Sequence, residues 1–266
     1  MSGEHQFAGG SWIGRDHRRV GRNSQDAWSI TYDGELVIGV VADGCGSGVH
    51  SEVGSQIGVQ LIAEGIRASY FAGSQRTVDW QHVQQYALSR MDILAQAMGN
   101  SYREVVKEYF LFTILGFVID QDRVQIFAFG DGVVIVNDER IDGGKYPGDA
   151  PPYLGYRLIQ NSVDVDPADL DIRILYDMGI ESLESFLLAT DGVDDFIARE
   201  EALLPGMNVL VGPLRQFYRQ DRYFANPELI SRHLKLASRD WPEKMPQPGL
   251  LSDDTTLIVG RRIQIS

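Results

Sequence analysis

The sequence predicts an α+β fold, in which antiparallel β-sheets are layered with helices on their outer faces. Strand-like segments arrive in hairpins rather than in alternation with helices, and the helical segments fall in two groups. Strands joined by hairpins form antiparallel sheets, whose outer faces helices then cover. The 266 residues, 44% hydrophobic and 23% charged, are expected to form one domain over residues 1–266.

The first half of the chain gives two strands and then helices. Segments 27–32 and 35–42 are apolar and flank Asp33-Gly34, a pair typical of a tight hairpin turn. Apolar residues at helical spacing predict a helix over residues 51–70. The stretch 78–108 has the same spacing and a break at Gly99-Asn100, so it predicts a pair of helices.

The second half returns to strands. Segments 110–119 and 123–137 have strand-like patterns, and Gly130-Asp131-Gly132 interrupts the second, which predicts a hairpin ending in a turn that presents Asp131. Residues 138–171 are rich in Gly, Pro, Asp and Tyr and are predicted to form a flap-like loop. Short strands at 173–176 and 185–190, helices at 209–219 and 227–238, and a strand at 255–259 complete the prediction.

The chain is acidic, with a formal net charge of −13. A nucleic-acid partner is not expected, because phosphate backbones are bound by clustered Lys and Arg. Cys45 is the only cysteine, so an intrachain disulfide is excluded. The first residues lack the basic start and apolar core of a signal peptide, and no run approaches the roughly 18–20 apolar residues of a membrane span. We expect a cytoplasmic, monomeric protein that does not bind a membrane.

Aspartates stand at the ends of apolar strands. Asp43 follows Val-Val-Ala, Asp191 follows Leu-Leu-Ala-Thr, and Asp253 precedes the last strand, while Asp131 after Phe-Ala-Phe-Gly looks alike. Any single Asp-Gly pair is also explained by a turn, in which the aspartate caps its own backbone. Several such carboxylates lie at the rim of a core without neighbouring Lys or Arg. They indicate a cation-binding site, because a cation offsets the cost of their desolvation. Oxygen ligands without clustered His or Cys suit Mg²⁺ or Mn²⁺.

Five short motifs occur in order along residues 23–256. They are Asn23-Ser24-Gln25-Asp26-Ala27, Val41-Ala42-Asp43-Gly44, Gly130-Asp131-Gly132, Ala189-Thr190-Asp191-Gly192 and Asp253-Asp254-Thr255-Thr256. Their order and rough spacing resemble the protein phosphatase 2C family of metal-dependent serine/threonine phosphatases. Residues 42–48 followed by 51–54 resemble the bacterial branch of that family.

The resemblance implies an α-β-β-α sandwich of two antiparallel sheets flanked by helices. It also implies two Mg²⁺ or Mn²⁺ ions, and a weaker third, in a cleft at one end of the paired sheets. In that picture Asp43 bridges two ions and the Gly44 carbonyl completes one coordination sphere. Asp191 and Asp253 bind the other ion.

Further positions carry over from the same resemblance. Asp131 and Asp195 match positions that, together with Asp191, help to hold the third ion. Asp26 orients a metal-bound water from outside the ligand shell. Gln25 stands where the family often has Glu, so one metal loses a charged contact. Phe112-Thr113-Ile114 replaces Gly-Thr-Thr, and Gly130-Asp131-Gly132 replaces Gly-Asp-Ser, which changes the surroundings of the third ion.

A phosphate-binding arginine is expected shortly before the first acidic motif. His17, Arg18, Arg19 and Arg22 all lie there, and Arg22 is the first choice, the alternative being an exposed basic turn.

Cys45, His17 and His50 are the other residues with chemistry suited to phosphate hydrolysis. Cys45 is not predicted to be a nucleophile, because its loop lacks the arginine that a cysteine-dependent phosphatase needs close behind the thiolate. His17 and His50 are candidates for the proton donor to the leaving group, although surface histidines more commonly only form hydrogen bonds.

The activity implied is hydrolysis of phosphoserine or phosphothreonine in proteins by a metal-activated water, without a covalent phosphoenzyme. The partner implied is a serine/threonine kinase or its targets. One alternative is a pseudophosphatase that binds phosphoproteins without catalysis, which Gln25 and the Phe112-Thr113-Ile114 segment keep open. The other is a small-molecule phosphohydrolase that uses the same metals.

Overall fold

The computed structural model describes residues 5–73, 76–99, 101–141, 143–144, 146, 150–160, 165–241 and 247–263. Its strands are β1 (His5–Trp12), β2 (Ala27–Asp33), β3 (Leu36–Gly44), β4 (Phe112–Ile119), β5 (Arg123–Phe129), β6 (Val133–Val136), β7 (Glu139–Ile141), β8 (Arg173–Gly179), β9 (Ser185–Ala189) and β10 (Thr255–Arg262). They form two five-stranded antiparallel sheets, one in the order β1-β10-β9-β6-β7 and one in the order β2-β3-β4-β5-β8.

Helices cover both sheets on their outer sides. They are α1 (Arg15–Arg19), α2 (Ser51–Ala72), α3 (Trp80–Ala97), α4 (Tyr102–Tyr109), α5 (Tyr156–Ile159), α6 (Val193–Ile197), α7 (Arg215–Arg219), α8 (Asp221–Ala225) and α9 (Leu229–Ser238). Helices α2, α3 and α4 share an apolar cluster with the β2-to-β8 sheet, and α6 to α9 share one with the β1-to-β7 sheet. The structure thus confirms the predicted α+β sandwich with helices outside and two sheets inside.

Strand β3 illustrates how the alternating side chains build these layers. Ile38 and Val40 join the cluster under the helices, whereas Val37 and Val41 join the cluster between the sheets. Neighbouring residues of a strand point to opposite faces, so a strand that is apolar throughout is buried on both sides. The uninterrupted apolar run before Asp43 therefore marks a central strand.

Several predicted elements are confirmed. Strands β2 and β3 pair around Gly34, whose φ of +63° suits a tight turn, and α2, α3 and α4 occupy the predicted helical regions. Strand β1, at the edge beside β10, was not predicted. Helices α1, α6 and α8 were not predicted either, and each is only five residues long.

Two predicted segments need correction. Segment 123–137 is not one interrupted strand, because β5 and β6 belong to different sheets and Gly130-Asp131-Gly132 carries the chain between them. The helix predicted over 209–219 is confined to α7, since Leu210 forms a β-bridge with Leu203 and Gly212 has a φ of +78°.

The predicted loop 138–171 contains β7 and α5, and its residues 142, 145, 147–149 and 161–164 lie outside the described residues. In the part of the chain that the structure describes, no helix has the length and apolar character needed to cross a membrane.

Candidate functional site

Acidic residues from both sheets converge at one end of the sandwich. Asp43 lies near the end of β3, where Ala42 pairs with Ala27, so Asp26 directly before β2 is its neighbour. In the other sheet Leu257 pairs with Ala189, which brings the start of β10 and the end of β9 to the same end. Asp253 and Asp191 flank those two strand ends.

The carboxyl group of Asp43 is at the centre of this group. Burial raises its pKa well above the usual range, and the negative charges of Asp26, Asp191 and Asp253 raise it further. A side-chain hydrogen bond also links Asp43 to Asp191. None of these four aspartates forms an ion pair with a Lys or Arg among the described residues. Asp253 Oδ1 accepts a hydrogen bond of 2.8 Å from the backbone N–H of Asp254, and the His17 ring nitrogen lies 3.9 Å from it.

Asp26 is buried and only partly satisfied. The Thr190 hydroxyl donates a hydrogen bond of 2.8 Å to its Oδ2, whereas its Oδ1 is buried without a hydrogen-bond partner. Burial and the charge of Asp254 raise the pKa of the Asp26 carboxyl, against the lowering effect of the Thr190 hydroxyl. An unpartnered buried carboxylate oxygen is costly, so this atom points to a ligand that the site binds.

Asp254 is the carboxylate that sequence analysis left out of the site. It is 3% exposed, and it accepts hydrogen bonds from the backbone N–H of Gly14 at 2.7 Å and of Gln25 at 2.6 Å. The His17 Nδ1 lies 2.9 Å from its Oδ2. By contrast, the side chain of Asp253 is 62% exposed. Because two aspartates precede β10 in succession, the sequence cannot indicate which one turns inward.

A group of possible ligand atoms lies here as well. One atom each from His17, Asp253 and Asp254 lies within 4.8 Å of the other two. His17 therefore belongs to the site through its contact with Asp254, whereas the ring of His50 packs on that of Tyr109, with centroids 4.8 Å apart.

Gln25 and Gly44 shape the loop that follows β3. The Gln25 amide nitrogen donates to the Ser51 hydroxyl and, at 3.3 Å, to the carbonyl of Gly48, and its buried Oε1 has no partner. A Cβ at Gly44 would lie 2.8 Å from the carbonyl of Gln25, so a larger residue does not fit. Arg22 is exposed and donates to the carbonyl of Gly46 at 2.8 Å, on the rim of this loop.

The two candidate ligands of a third ion lie at the same end. Asp131 stands two residues before Val133, which pairs with Ala189, so it lies on the side of the sheet where Asp191 follows β9. Asp195, in α6, accepts hydrogen bonds from the backbone N–H of Ser252 at 2.8 Å and from its hydroxyl. Asp195 thus fixes the residue before Asp253.

Cys45 lies beside these groups without the features of a nucleophile. Its sulfur is 3.1 Å from the Ser47 hydroxyl, and a hydrogen bond links it to the Tyr153 side chain. No arginine contacts the thiol among the described residues.

The donor set fits divalent cations. The carboxylate and carbonyl oxygens gathered here are the ligands that Mg²⁺ and Mn²⁺ prefer. A cation offsets the repulsion that raises the pKa of Asp43, and it provides a partner for the orphaned Oδ1 of Asp26.

Known proteins resemble this chain in sequence pattern and in fold. The family model described as protein phosphatase 2C matches residues 13–223. A crystal structure titled bacterial serine phosphatase is 14% identical, with 99% of this chain and 99% of that chain covered and a TM-score of 0.56. Serine/threonine phosphatase Stp1 from Staphylococcus aureus is 16% identical, with 98% and 95% covered and a TM-score of 0.55.

The serine/threonine phosphatase PstP/Ppp of Mycobacterium tuberculosis is 15% identical, with 97% and 98% covered and a TM-score of 0.51. At such identities these likenesses show a shared fold. A comparison with curated protein sequences found no match.

Proposed function

Because the chain belongs to the protein phosphatase 2C family, we propose that it is a metal-dependent protein serine/threonine phosphatase. The observation that carries this proposal is the pKa of Asp43, which burial and the negative charges of Asp26, Asp191 and Asp253 raise well above the usual range. None of these four aspartates has a Lys or Arg ion-pair partner among the described residues. Such a group is costly unless it binds cations, and two-metal carboxylate sites are a recurring solution for phosphate ester hydrolysis.

Each residue of the site has a proposed role in binding the metal ions or the phosphate. Asp43, Asp191 and Asp253, with the carbonyl of Gly44, hold Mg²⁺ or Mn²⁺, and Asp131 and Asp195 are the candidates for a third ion. When bound, these ions lower the pKa of a coordinated water and neutralise charge on the phosphoryl oxygens. Asp26, fixed by Thr190, accepts a hydrogen bond from a group in the site. Arg22 is the candidate that binds the phosphate from the rim.

The proposed substrate is phosphoserine or phosphothreonine in a protein, with a serine/threonine kinase or that kinase's targets as partners. We further propose that the protein is a single-domain, monomeric enzyme that acts in signalling in the cytoplasm.

Hydrolysis of a phosphothreonine peptide tests the proposal. We expect phosphate release by the wild type with Mn²⁺ or Mg²⁺, and none with chelator. Asp43→Asn and Asp191→Asn are each expected to lower kcat by at least about 10²-fold, the scale of losing one electrostatic partner of the reaction. Asp221→Asn is the matched control, since this carboxylate is 91% exposed and pairs with Arg261, away from the site.

One observation favours a second candidate, a pseudophosphatase that binds phosphoproteins. The Gln25 side-chain amide donates hydrogen bonds to the Ser51 hydroxyl and the Gly48 carbonyl, and it carries no charge. Its contact with a metal ion is therefore weaker than that of a Glu at this position. No phosphate release by a folded, metal-loaded wild type, together with phosphopeptide binding, would support this candidate and overturn the first. Rapid hydrolysis of small phosphate esters with none of phosphopeptides would indicate a small-molecule phosphohydrolase.

A further inference from the structure

A basic surface lies beside the candidate site. It consists of Arg15, Arg18 and Arg19 in α1 and of Arg22 just after the helix; we call these four residues the arginine face. Its position is unusual because the whole chain carries a formal net charge of −13.

Intramolecular ion pairs leave the arginine face positively charged. The guanidinium nitrogens of Arg18 and Arg19 share one carboxylate, that of Asp240, at 3.7 and 3.3 Å. Arg15 pairs with Asp16 at 2.9 Å. Four guanidinium groups thus meet two carboxylates among the described residues, which leaves a surplus of two positive charges.

Two of the arginines make their shortest hydrogen bonds to neutral groups. Arg22 donates to the carbonyl of Gly46 at 2.8 Å, and Arg18 donates to the carbonyl of Ser238 at 2.6 Å. These bonds orient the guanidinium groups without cancelling their charge.

The arginine face adjoins the carboxylates directly. The backbone N–H of Arg15 donates to the carbonyl of Leu251 and that of Asp16 donates to the carbonyl of Ser252, both at 3.0 Å. Helix α1 therefore lies along the segment that leads to Asp253. The same helix carries His17 against Asp254.

At its other end the face reaches the loop after Gly44, through the bond from Arg22 to Gly46. A peptide whose phosphate reaches the carboxylates can therefore extend its neighbouring residues over this face.

The face is open to solvent mainly at Arg19 and Arg22. The side chain of Arg19 is 53% exposed and Arg22 is exposed, whereas the side chains of Arg18 and Arg15 are 34% and 20% exposed. Guanidinium groups bind carboxylates and phosphates through paired hydrogen bonds, and their field attracts anionic segments that the rest of an acidic surface repels.

We propose that the arginine face is a docking surface that selects substrates with anionic side chains next to the phosphorylated residue. The class comprises phosphoproteins with Asp, Glu or a second phosphate beside the phosphoserine or phosphothreonine. This inference rests on the proposed function, because the phosphate must be held at the carboxylate site.

Three phosphothreonine peptides that differ only in their flanking residues, which are Asp, Ala or Lys, test the docking surface. With Mn²⁺ at low salt, we expect kcat/KM for the Asp peptide to exceed that for the Ala peptide about fivefold, mainly through KM, with the Lys peptide lowest. Raising the salt from about 0.05 to about 0.5 M shrinks the preference, because exposed charges are screened.

Arg19→Glu locates the effect. We expect it to reduce kcat/KM for the Asp peptide about tenfold, and by at least about fivefold more than the rate on p-nitrophenyl phosphate, which has no flanking residues. Arg67→Glu is the matched control: Arg67 is 45% exposed, pairs with acidic residues as Arg19 does, and lies about 24 Å along α2 from Ser51. Arg19→Ala, with a smaller expected loss, separates the missing cation from the repulsion that an added Glu brings.

Equal kcat/KM for the Asp and Ala peptides in the wild type would overturn the inference, as would equal losses in Arg19→Glu and Arg67→Glu. Binding of fluorescein-labelled, non-hydrolysable phosphonate analogues of the same peptides to the Mn²⁺-loaded wild type separates docking from hydrolysis. If the wild type hydrolyses no peptide, but the Asp peptide binds more tightly and Arg19→Glu removes the difference, the proposed function fails and the docking surface stands. If binding does not distinguish the peptides, the docking surface is rejected whether or not the chain is a phosphatase.

Discussion

Replacing Thr190 by Val tests the buried hydrogen bonds that hold Asp26. The Thr190 hydroxyl donates to Asp26 Oδ2 at 2.8 Å and accepts from the backbone N–H of Thr256 at 3.0 Å. Thr190, Asp26 and Thr256 are 4%, 6% and 0% exposed, so water does not replace the lost partner. Valine has nearly the same shape as threonine, and the substitution therefore leaves no cavity.

The magnitude follows from the two groups left without a partner. Each unsatisfied buried donor or acceptor costs about 1–3 kcal/mol, so Thr190→Val is expected to lower the free energy of unfolding by about 2–6 kcal/mol. Thr190→Ser is the matched control, since it keeps the hydroxyl and loses one methyl group, worth about 1 kcal/mol.

Urea unfolding of the metal-free protein at neutral pH, followed by circular dichroism, measures both variants. A double-mutant cycle with Asp26→Ala, which removes the acceptor, then isolates the contact, with an expected coupling of about 1–3 kcal/mol. If Thr190→Val is as stable as Thr190→Ser, the hydrogen bonds to Asp26 and Thr256 do not carry the free energy assigned to them.

Three further outcomes are expected. Burial and neighbouring charges raise the pKa of Asp43, so the metal-free fold keeps a proton that the unfolded chain releases, and this contribution to stability falls as pH rises above about 4. Asp43→Asn should reduce that slope in urea titrations without abolishing it, because the pKa values of Asp26 and Asp253 are also raised. It should raise metal-free stability at neutral pH by about 0.5–2 kcal/mol, whereas an unchanged slope contradicts the repulsion.

Gly54→Ala should lower the free energy of unfolding by about 2 kcal/mol or more, because its Cβ would lie 1.5 Å from the carbonyl oxygen of Tyr109. Gly34→Ala is the control, with an expected loss of about 1 kcal/mol, because the space around it is open and only a φ of +63° opposes alanine. Equal losses in urea unfolding would refute the clash at Gly54. Cys45→Ser should keep phosphate release from a phosphopeptide within about twofold, and a loss comparable to that of an active-site aspartate would make the thiol a participant.

The sequence was most informative where local rules decide the structure. Asp33-Gly34 predicts the turn between β2 and β3 because a tight hairpin requires a positive φ, and the alternation-free run before Asp43 predicts a strand buried on both faces. The change of sheet between β5 and β6 was not predictable, since both strands are apolar. Only their pairing partners show that the chain crosses from one sheet to the other at Gly130-Asp131-Gly132. Long-range pairing, which no local pattern encodes, decided it.

Candidate site residues followed the same division. Asp43 and Asp191 drew attention because each ends an apolar strand, a local feature. Thr190 did not, because a threonine in a buried strand is ordinary until its hydroxyl is found 2.8 Å from Asp26, a residue 164 positions away. Asp254 was missed for a related reason, since its importance comes from backbone donors of Gly14 and Gln25 that reach it from the other end of the chain.

The aspartates therefore fall into two physical classes. Asp254 accepts two backbone hydrogen bonds and lies against His17, so its carboxylate is compensated by the fold itself. Asp43 is compensated by no cationic side chain among the described residues, and Asp26 has one buried oxygen without a partner. Removing a charge from the first class leaves backbone donors unpaired and costs stability, whereas removing one from the second relieves repulsion. In the second class the fold itself does not offset the cost of burying a negative charge, and a bound cation does.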